Sequence, residues 1–311
     1  MIDAVDRAHR ALRAGTAHQP PVPVAATPGA DAHFLAMTAV SDDVGLAGSK
    51  LLADIPGNRQ RGLPTQRSVV VLADSRTGAC EGVLHGAIPT RLRTAATTAV
   101  ATRALARPGS TVVGLVGAGA LAVEHVDMLA EVLPLEQVVV WTRRDATFES
   151  FAARVAERRP GVKVTRADSA RTAVEAADVL CTLTPSREPV VEGAWFHAGL
   201  HVNAVGSPPR PDHREVDSAA MAVARIVVDT RESALHESGE VALAIADGAI
   251  TADDCRTDLA DVLTGALVRT GPDDITLFNS VGLGIQDVAI GRLLLDAARE
   301  RGVGLELDLS A

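Results

Sequence analysis

The spacing of apolar and polar positions along the chain divides it into two differently patterned parts. Residues 3–14 put Ala4, Ala8, Ala11 and Leu12 on one stripe, which predicts a helix, and Gly15 stands where a C-terminal cap belongs. A proline-containing link over 18–23 follows. Short β-type runs at 22–26, 36–40, 48–52, 68–73 and 79–85 then predict a β-rich first unit. Asp74-Ser75-Arg76-Thr77-Gly78 predicts the hairpin turn between the last two. A long helix is expected over 90–106, and Arg107-Pro108-Gly109 breaks the chain and marks a domain boundary.

Beyond the break the pattern alternates. Strands are expected at 111–116, 137–141, 162–165, 178–182, 200–204 and 225–229. Helices are expected at 119–132, 145–158, 170–176 and 217–222. Such βαβ alternation predicts an α/β chain with a Rossmann-type, doubly wound parallel sheet over 109–284. A last helix at 285–299 lies beyond it and is expected to fold back on the first unit. That unit then comprises 1–108 plus 285–311.

The first turn of the alternating part carries chemistry. Gly117, Gly119 and Ala122 fit the dinucleotide fingerprint after the β-branched run 111–116. Gly117 permits the tight turn, Gly119 lets the backbone approach a pyrophosphate, and Ala122 lets the helix pack on the strand. The free N–H groups at Ala120 and Leu121 would face the phosphates. The second strand ends in Trp141-Thr142-Arg143-Arg144. An NAD-preferring site usually places an acid there to bind the ribose 2′-hydroxyl. Thr142, Arg143 and Arg144 instead suit a 2′-phosphate, so NADP(H) is expected to be preferred and NAD(H) remains an alternative.

Three further segments hold candidates. Arg93 and Thr94 are placed at the opening of the 90–106 helix, the first to clamp a carboxylate and the second to meet a cofactor phosphate with the helix amides. Lys50 lies in an otherwise apolar strand, where a lysine must snorkel, pair or face a cavity. Thr182 ends the strand expected at 178–182, and Val205 follows the one expected at 200–204, at the edge where α/β sheets bind ligands. In the proline-rich loop after 200–204, Asp212 and Glu215 are open to two readings, acid–base chemistry or capping of the next helix. His201 and His213 have no partners at a recognisable spacing.

Composition narrows the class. The chain has 311 residues, a formal net charge of −9 and 2% aromatics, which argues against nucleic acid and anionic membranes as partners. The charged, amphipathic N-terminal segment does not read as a signal peptide, and no apolar run reaches the length of a membrane span. Three widely spaced cysteines suggest reduced thiols in a cytoplasm, with Cys80 and Cys181 expected as buried packing. No zinc spacing exists, and no metal is expected.

Taken together, Ser49-Lys50-Leu51, Pro56-Gly57-Asn58, Gly62-Leu63-Pro64, Arg93-Thr94-Ala95-Ala96, Val116-Gly117-Ala118-Gly119, Asn203-Ala204-Val205-Gly206, Glu237-Ser238-Gly239-Glu240 and Asn279-Ser280-Val281-Gly282 resemble the ornithine cyclodeaminase/μ-crystallin family nearly end to end. The resemblance implies a substrate-binding and dimerisation domain built from both chain ends, a Rossmann domain between them, and a homodimer. It implies that Lys50 is the active-site lysine, Arg93 the carboxylate-binding arginine and Val205 the residue beside the nicotinamide. The family includes cyclodeaminases, alanine dehydrogenases, cyclic imine reductases and opine-like condensing enzymes. Cyclodeaminases carry a catalytic aspartate where this chain has Pro208, which counts against cyclodeamination. The loop 208–215 is similar to the μ-crystallin branch of NADPH-dependent ketimine reductases.

The expectation is therefore reduction of a small 2-imino acid to an amino acid. The alternatives are a cyclodeaminase or amino-acid dehydrogenase, or a silent NADP(H)-binding protein. Two departures bear on substrate. The usual Met-Pro-Ala-Tyr block reads Met37-Thr38-Ala39-Val40, in a chain without tyrosine. The family's N-terminal strand and part of its first helix are expected to be missing.

Overall fold

The computed structural model describes residues 1–308. In chain order the elements begin with α1 (Ile2–Ala14), β1 (Ala17–His18), β2 (Val24–Ala26), β3 (His33–Ser41), β4 (Leu46–Asp54), β5 (Gln66–Asp74), β6 (Cys80–His85) and α2 (Ala87–Leu105). Then come β7 (Val112–Val116), α3 (Ala120–Leu129), β8 (Gln137–Trp141), α4 (Asp145–Arg158), β9 (Lys163–Arg166), α5 (Ala170–Glu175), β10 (Val179–Thr182) and β11 (His201–Ala204). The chain continues through α6 (Ser218–Val223), β12 (Arg225–Val228), α7 (Arg231–Glu237), α8 (Gly239–Ala246), α9 (Leu259–Leu263), β13 (Thr276–Asn279) and α10 (Gly284–Glu300). Two compact units result: Met1–Arg93 with the chain from Leu283 onward, and Thr94–Gly282.

The first unit is an antiparallel sheet in the order β1-β3-β4-β5-β6, with β2 also paired to β3. Its strands alternate because only one face is covered. Leu35, Met37, Ala39, Leu46, Leu52, Val70 and Leu72 are buried, whereas Phe34, Leu51, Val71 and Val83 on the intervening positions are exposed. Ala4, Ala8 and Ala11 of α1 and Ile285, Val288, Ala289 and Leu295 of α10 complete the core over the buried face. The expected hairpin turn closes as Gly78 (φ 75°) donates to the Asp74 carbonyl, while the Asp74 carboxylate accepts the N–H groups of Arg76 and Thr77.

The second unit is a parallel sheet in the order β12-β13-β11-β10-β7-β8-β9. Its direction of winding reverses between β7 and β10, the switch point at which open α/β sheets form a ligand crevice. The inner strands are buried on both faces, so they read as apolar runs such as Val179-Leu180-Cys181.

Three expectations change. The long helix starts at Ala87, because Pro89 is tolerated in a first turn, and this moves Arg93 and Thr94 into its second turn, away from the free N-terminal amides. Strand β13 and helices α7 to α9 were not anticipated. Cys181 and Cys255 are buried, but Cys80 begins the edge strand β6 and is exposed. No helix among the described residues is long and apolar enough to cross a membrane, and the described residues contain no cluster able to hold a metal ion.

Candidate active site

Each unit brings one set of candidate residues together. In the first, Lys50 lies at the centre of β4 with none of its surface exposed, which the apolar context of its strand requires it to resolve by pairing. Its Nζ lies 2.8 Å from Asp287 Oδ2. Arg93, also buried, places Nε 3.8 Å from Asp287 Oδ1 and donates from Nη1 to Gln286 Oε1 at 3.2 Å. The Gln286 amide in turn donates to His9 Nε2 at 3.2 Å, and Gln286 Oε1 also accepts the Leu283 N–H. One turn of α10 thus supplies both the shared counter-ion of the two cations and a neutral clamp on the guanidinium. Gly284 allows this turn to approach, since a Cβ there would lie 3.0 Å from the Met37 carbonyl oxygen, and Met37 is the β3 partner of Lys50.

Asp287 and Gln286 were missed by sequence reasoning. They lie 237 and 236 positions beyond Lys50 within an amphipathic helix, where a carboxylate and an amide read as ordinary polar positions.

In the second unit, Gly117 takes φ 109°, and a Cβ on it would lie 2.8 Å from the Leu183 carbonyl oxygen, so a side chain is excluded twice over. Gly119 is the N-cap of α3 and makes no side-chain cap, and a Cβ on it would meet open space. Ala122 is fully buried against the sheet. The first turn of α3 therefore offers Ala120 and Leu121 N–H groups beside an open backbone surface, which suits a pyrophosphate. Thr142 is half-buried after β8, and Arg143 and Arg144 are exposed. A cavity of about 360 Å³ adjoins Gly119 and Ala120 and is walled on its other side by Arg144, Thr147, Ser150 and Arg154. These features fit a dinucleotide cofactor.

Glu215 resolves neither as a catalytic acid nor as a cap. The cap of α6 is Asp217, which accepts the Ala220 N–H at 2.8 Å. Asp212 pairs with His213. Glu215 is buried at the carboxyl edge of the sheet. Its Oε2 accepts the Thr182 hydroxyl and the Gly206 N–H, both at 2.7 Å. Its Oε1 accepts the N–H and hydroxyl of Thr184, at 2.5 and 2.8 Å. One carboxylate therefore ties the end of β10 to the end of β11, on either side of Val205. Thr182 is wholly buried, its hydroxyl committed to this brace. Glu240 lies behind, accepting the Ser207 hydroxyl at 2.7 Å and the Glu215 N–H at 3.0 Å. Burial, followed by the nearby Glu240 charge, pushes Glu215 up to about 7 against the pull of its donors. His201 is held neutral, lowered to about 3 mainly by burial, with Nδ1 on the Thr276 hydroxyl at 2.9 Å.

The profile of the ornithine cyclodeaminase/mu-crystallin family matches residues 1–302. The chain belongs to that family. Among its relatives, mouse ketimine reductase mu-crystallin is 35% identical over 249 residues, covering 80% of this chain and 75% of the relative. A solved Delta(1)-pyrroline-2-carboxylate reductase from Thermococcus litoralis, in complex with NADH and L-proline, superposes with a TM-score of 0.93 at 32% identity, covering 98% of this chain and 94% of that one. An archaeal alanine dehydrogenase dimer with bound NAD gives a TM-score of 0.91 at 32% identity over 99% and 93% of the two chains. The two solved relatives carry NADH with L-proline and NAD, respectively.

Proposed function

We propose that the protein reduces a small, preferably cyclic, 2-imino acid to the amino acid with NADPH. The observation that carries this reading is the buried Lys50–Asp287–Arg93 cluster, in a family whose members include imine reductases. Arg93 is suited to hold the substrate carboxylate through its planar fork. Gln286 keeps that fork oriented. Lys50 adds a second positive charge for the same carboxylate and would supply a proton. Asp287 pairs with Lys50 Nζ within a water-poor setting, where each charge acts more strongly than at the surface. Gly117, Gly119, Ala120 and Leu121 would hold the pyrophosphate, Thr142, Arg143 and Arg144 the 2′-phosphate, and Val205 would pack against the nicotinamide. A bound dihydronicotinamide supplies the hydride.

Cyclodeamination ranks lower because it needs a group that moves protons while an amine attacks and ammonia leaves. Pro208, buried in the loop after β11, has no such chemistry. Two assays separate the readings: NADPH loss with pyrroline- and piperideine-2-carboxylate, and ammonia release from ornithine with NAD⁺. Ammonia release without NADPH loss would reverse the order. NADPH binding with neither reaction would favour a silent binding protein.

The homodimer reading rests on the uncovered sheet face. Phe34, Leu51, Val71 and Val83 expose 36%, 48%, 42% and 60% of their surface on the side of the sheet away from α1 and α10. A second copy would cover this apolar face by the same patch on itself.

A further inference from the structure

We propose that Arg154 is a third guanidinium in the seat of the cofactor's 2′-phosphate, beside Arg143 and Arg144, and fixes the choice of NADP(H) over NAD(H) in this chain. The proposal rests on the NADP(H) reading and deepens it. Thr147, Ser150, Phe151 and Arg154 follow at helical spacing and form the face of α4 that walls the cavity beside Gly119. Phe151 is buried and seals the floor, leaving two hydroxyls and one guanidinium toward the space. Helical side chains lean toward the N-terminus of their helix, so Arg154 is aimed back along α4 toward Arg144, which lines the same cavity.

The charges nearby sort the arginines of this region into two groups. Arg158 pairs with Glu124 and Asp127, and Arg159 with Asp127 and Glu131. Arg166 pairs with Asp145, the acid in the first turn of α4. Among the described residues no carboxylate pairs with Arg143, Arg144 or Arg154. A half-buried guanidinium facing a cavity of mixed lining, beside Thr147, Ser150 and Arg144 and with no acid opposite it, favours a dianion. A phosphate monoester beside an α-helix N-terminus supplies one with several acceptor oxygens. The pyrophosphate needs only the α3 amides. A 2′-phosphate needs a cationic wall, and Arg154 extends that wall beyond the arginines that follow β8.

The test compares NADPH, NADH, 2′-AMP and 5′-AMP by calorimetry or nucleotide fluorescence on the full-length protein, R154Q, R154K and R143Q. R154Q should weaken NADPH and 2′-AMP about tenfold while leaving NADH and 5′-AMP within about twofold, with R154K intermediate. Equal weakening of NADPH and NADH by R154Q would assign Arg154 to the pyrophosphate and overturn the proposal. If R143Q lowers the NADPH preference and R154Q does not, the NADP(H) reading stands and the proposal falls. Tighter binding of NADH than NADPH by the unsubstituted protein overturns both.

Discussion

Replacing Asp287 by Asn keeps its shape and removes its charge, leaving two cations without the carboxylate they share. Lys50 is wholly buried and Asp287 nearly so, and their charged atoms are 2.8 Å apart. Water cannot take over the lost interaction, so the relevant scale is that of breaking a buried pair, about 3–5 kcal/mol, and not the 0–1 kcal/mol of a surface pair. For units of this size that loss lowers the melting temperature by roughly 6–20 °C. The double variant Lys50→Met with Asp287→Leu removes both charges and fills the volume with apolar atoms. It should recover the share of the loss that belongs to the Lys50–Asp287 pair, because a buried pair and a well-packed apolar substitute are often equivalent, but not the share that comes from removing the carboxylate beside Arg93. It should recover none of the imine reduction, since the substrate's cation is gone. Thermal and urea unfolding of the wild type, Lys50→Met, Asp287→Leu and the double variant give the coupling energy directly. A coupling below about 0.5 kcal/mol, or a D287N variant within about 1 kcal/mol of wild type, would show that the pair is hydrated and that the argument from burial is wrong.

Lys50→Ala and Arg93→Ala should each lower kcat/KM for a cyclic 2-imino acid at least tenfold, about 1.4 kcal/mol of transition-state stabilisation, as steady-state kinetics will show. For Glu215 the folded-state value near 7 lies above its ordinary 4.5, so its stabilising share is complete below pH 4.5 and is lost as pH rises through about 7. Melting temperatures between pH 5 and 8 should therefore fall more steeply in the wild type than in Glu215→Gln, with Glu240 titrating jointly with Glu215; equal slopes would reject the assignment. Leu51→Glu with Val71→Glu should convert a dimer to the 32.2 kDa monomer in light scattering, and an unchanged mass would remove the exposed sheet face from the interface.

Long alternating segments were readable because each reports a single physical fact. The run through Gly117 and Gly119 states a buried strand, a backbone turn and a helix start within a dozen residues, and the structure has all three. Lys50 was visible as an anomaly for the same reason: a charge in an apolar strand demands a partner. The partner itself was not visible, because Asp287 sits on a helix where an acid in the first turn is unremarkable. Glu215 was noticed and misread, since its brace depends on three segments of the sheet edge meeting in space. Strand β13 escaped because four residues, Thr276-Leu277-Phe278-Asn279, are too few to show a period. Arg93 was placed at a helix opening because the prolines and glycines before it look like loop, whereas Pro89 is compatible with a first turn.

The position of Asp287 on α10 has a consequence for how the chain is made. During synthesis Lys50 and Arg93 leave the ribosome long before their counter-ion, and the whole nucleotide-binding unit emerges in between. That unit is contiguous in sequence, Thr94–Gly282, so nothing in its own sheet waits for the C-terminus. The antiparallel sheet, by contrast, lacks the α10 part of its core and the carboxylate beside Lys50 and Arg93 until the last helix arrives. A nascent chain stalled before residue 283 should present a protease-resistant nucleotide-binding unit, whose own core is closed, while its N-terminal portion stays protease-sensitive and a target for chaperones.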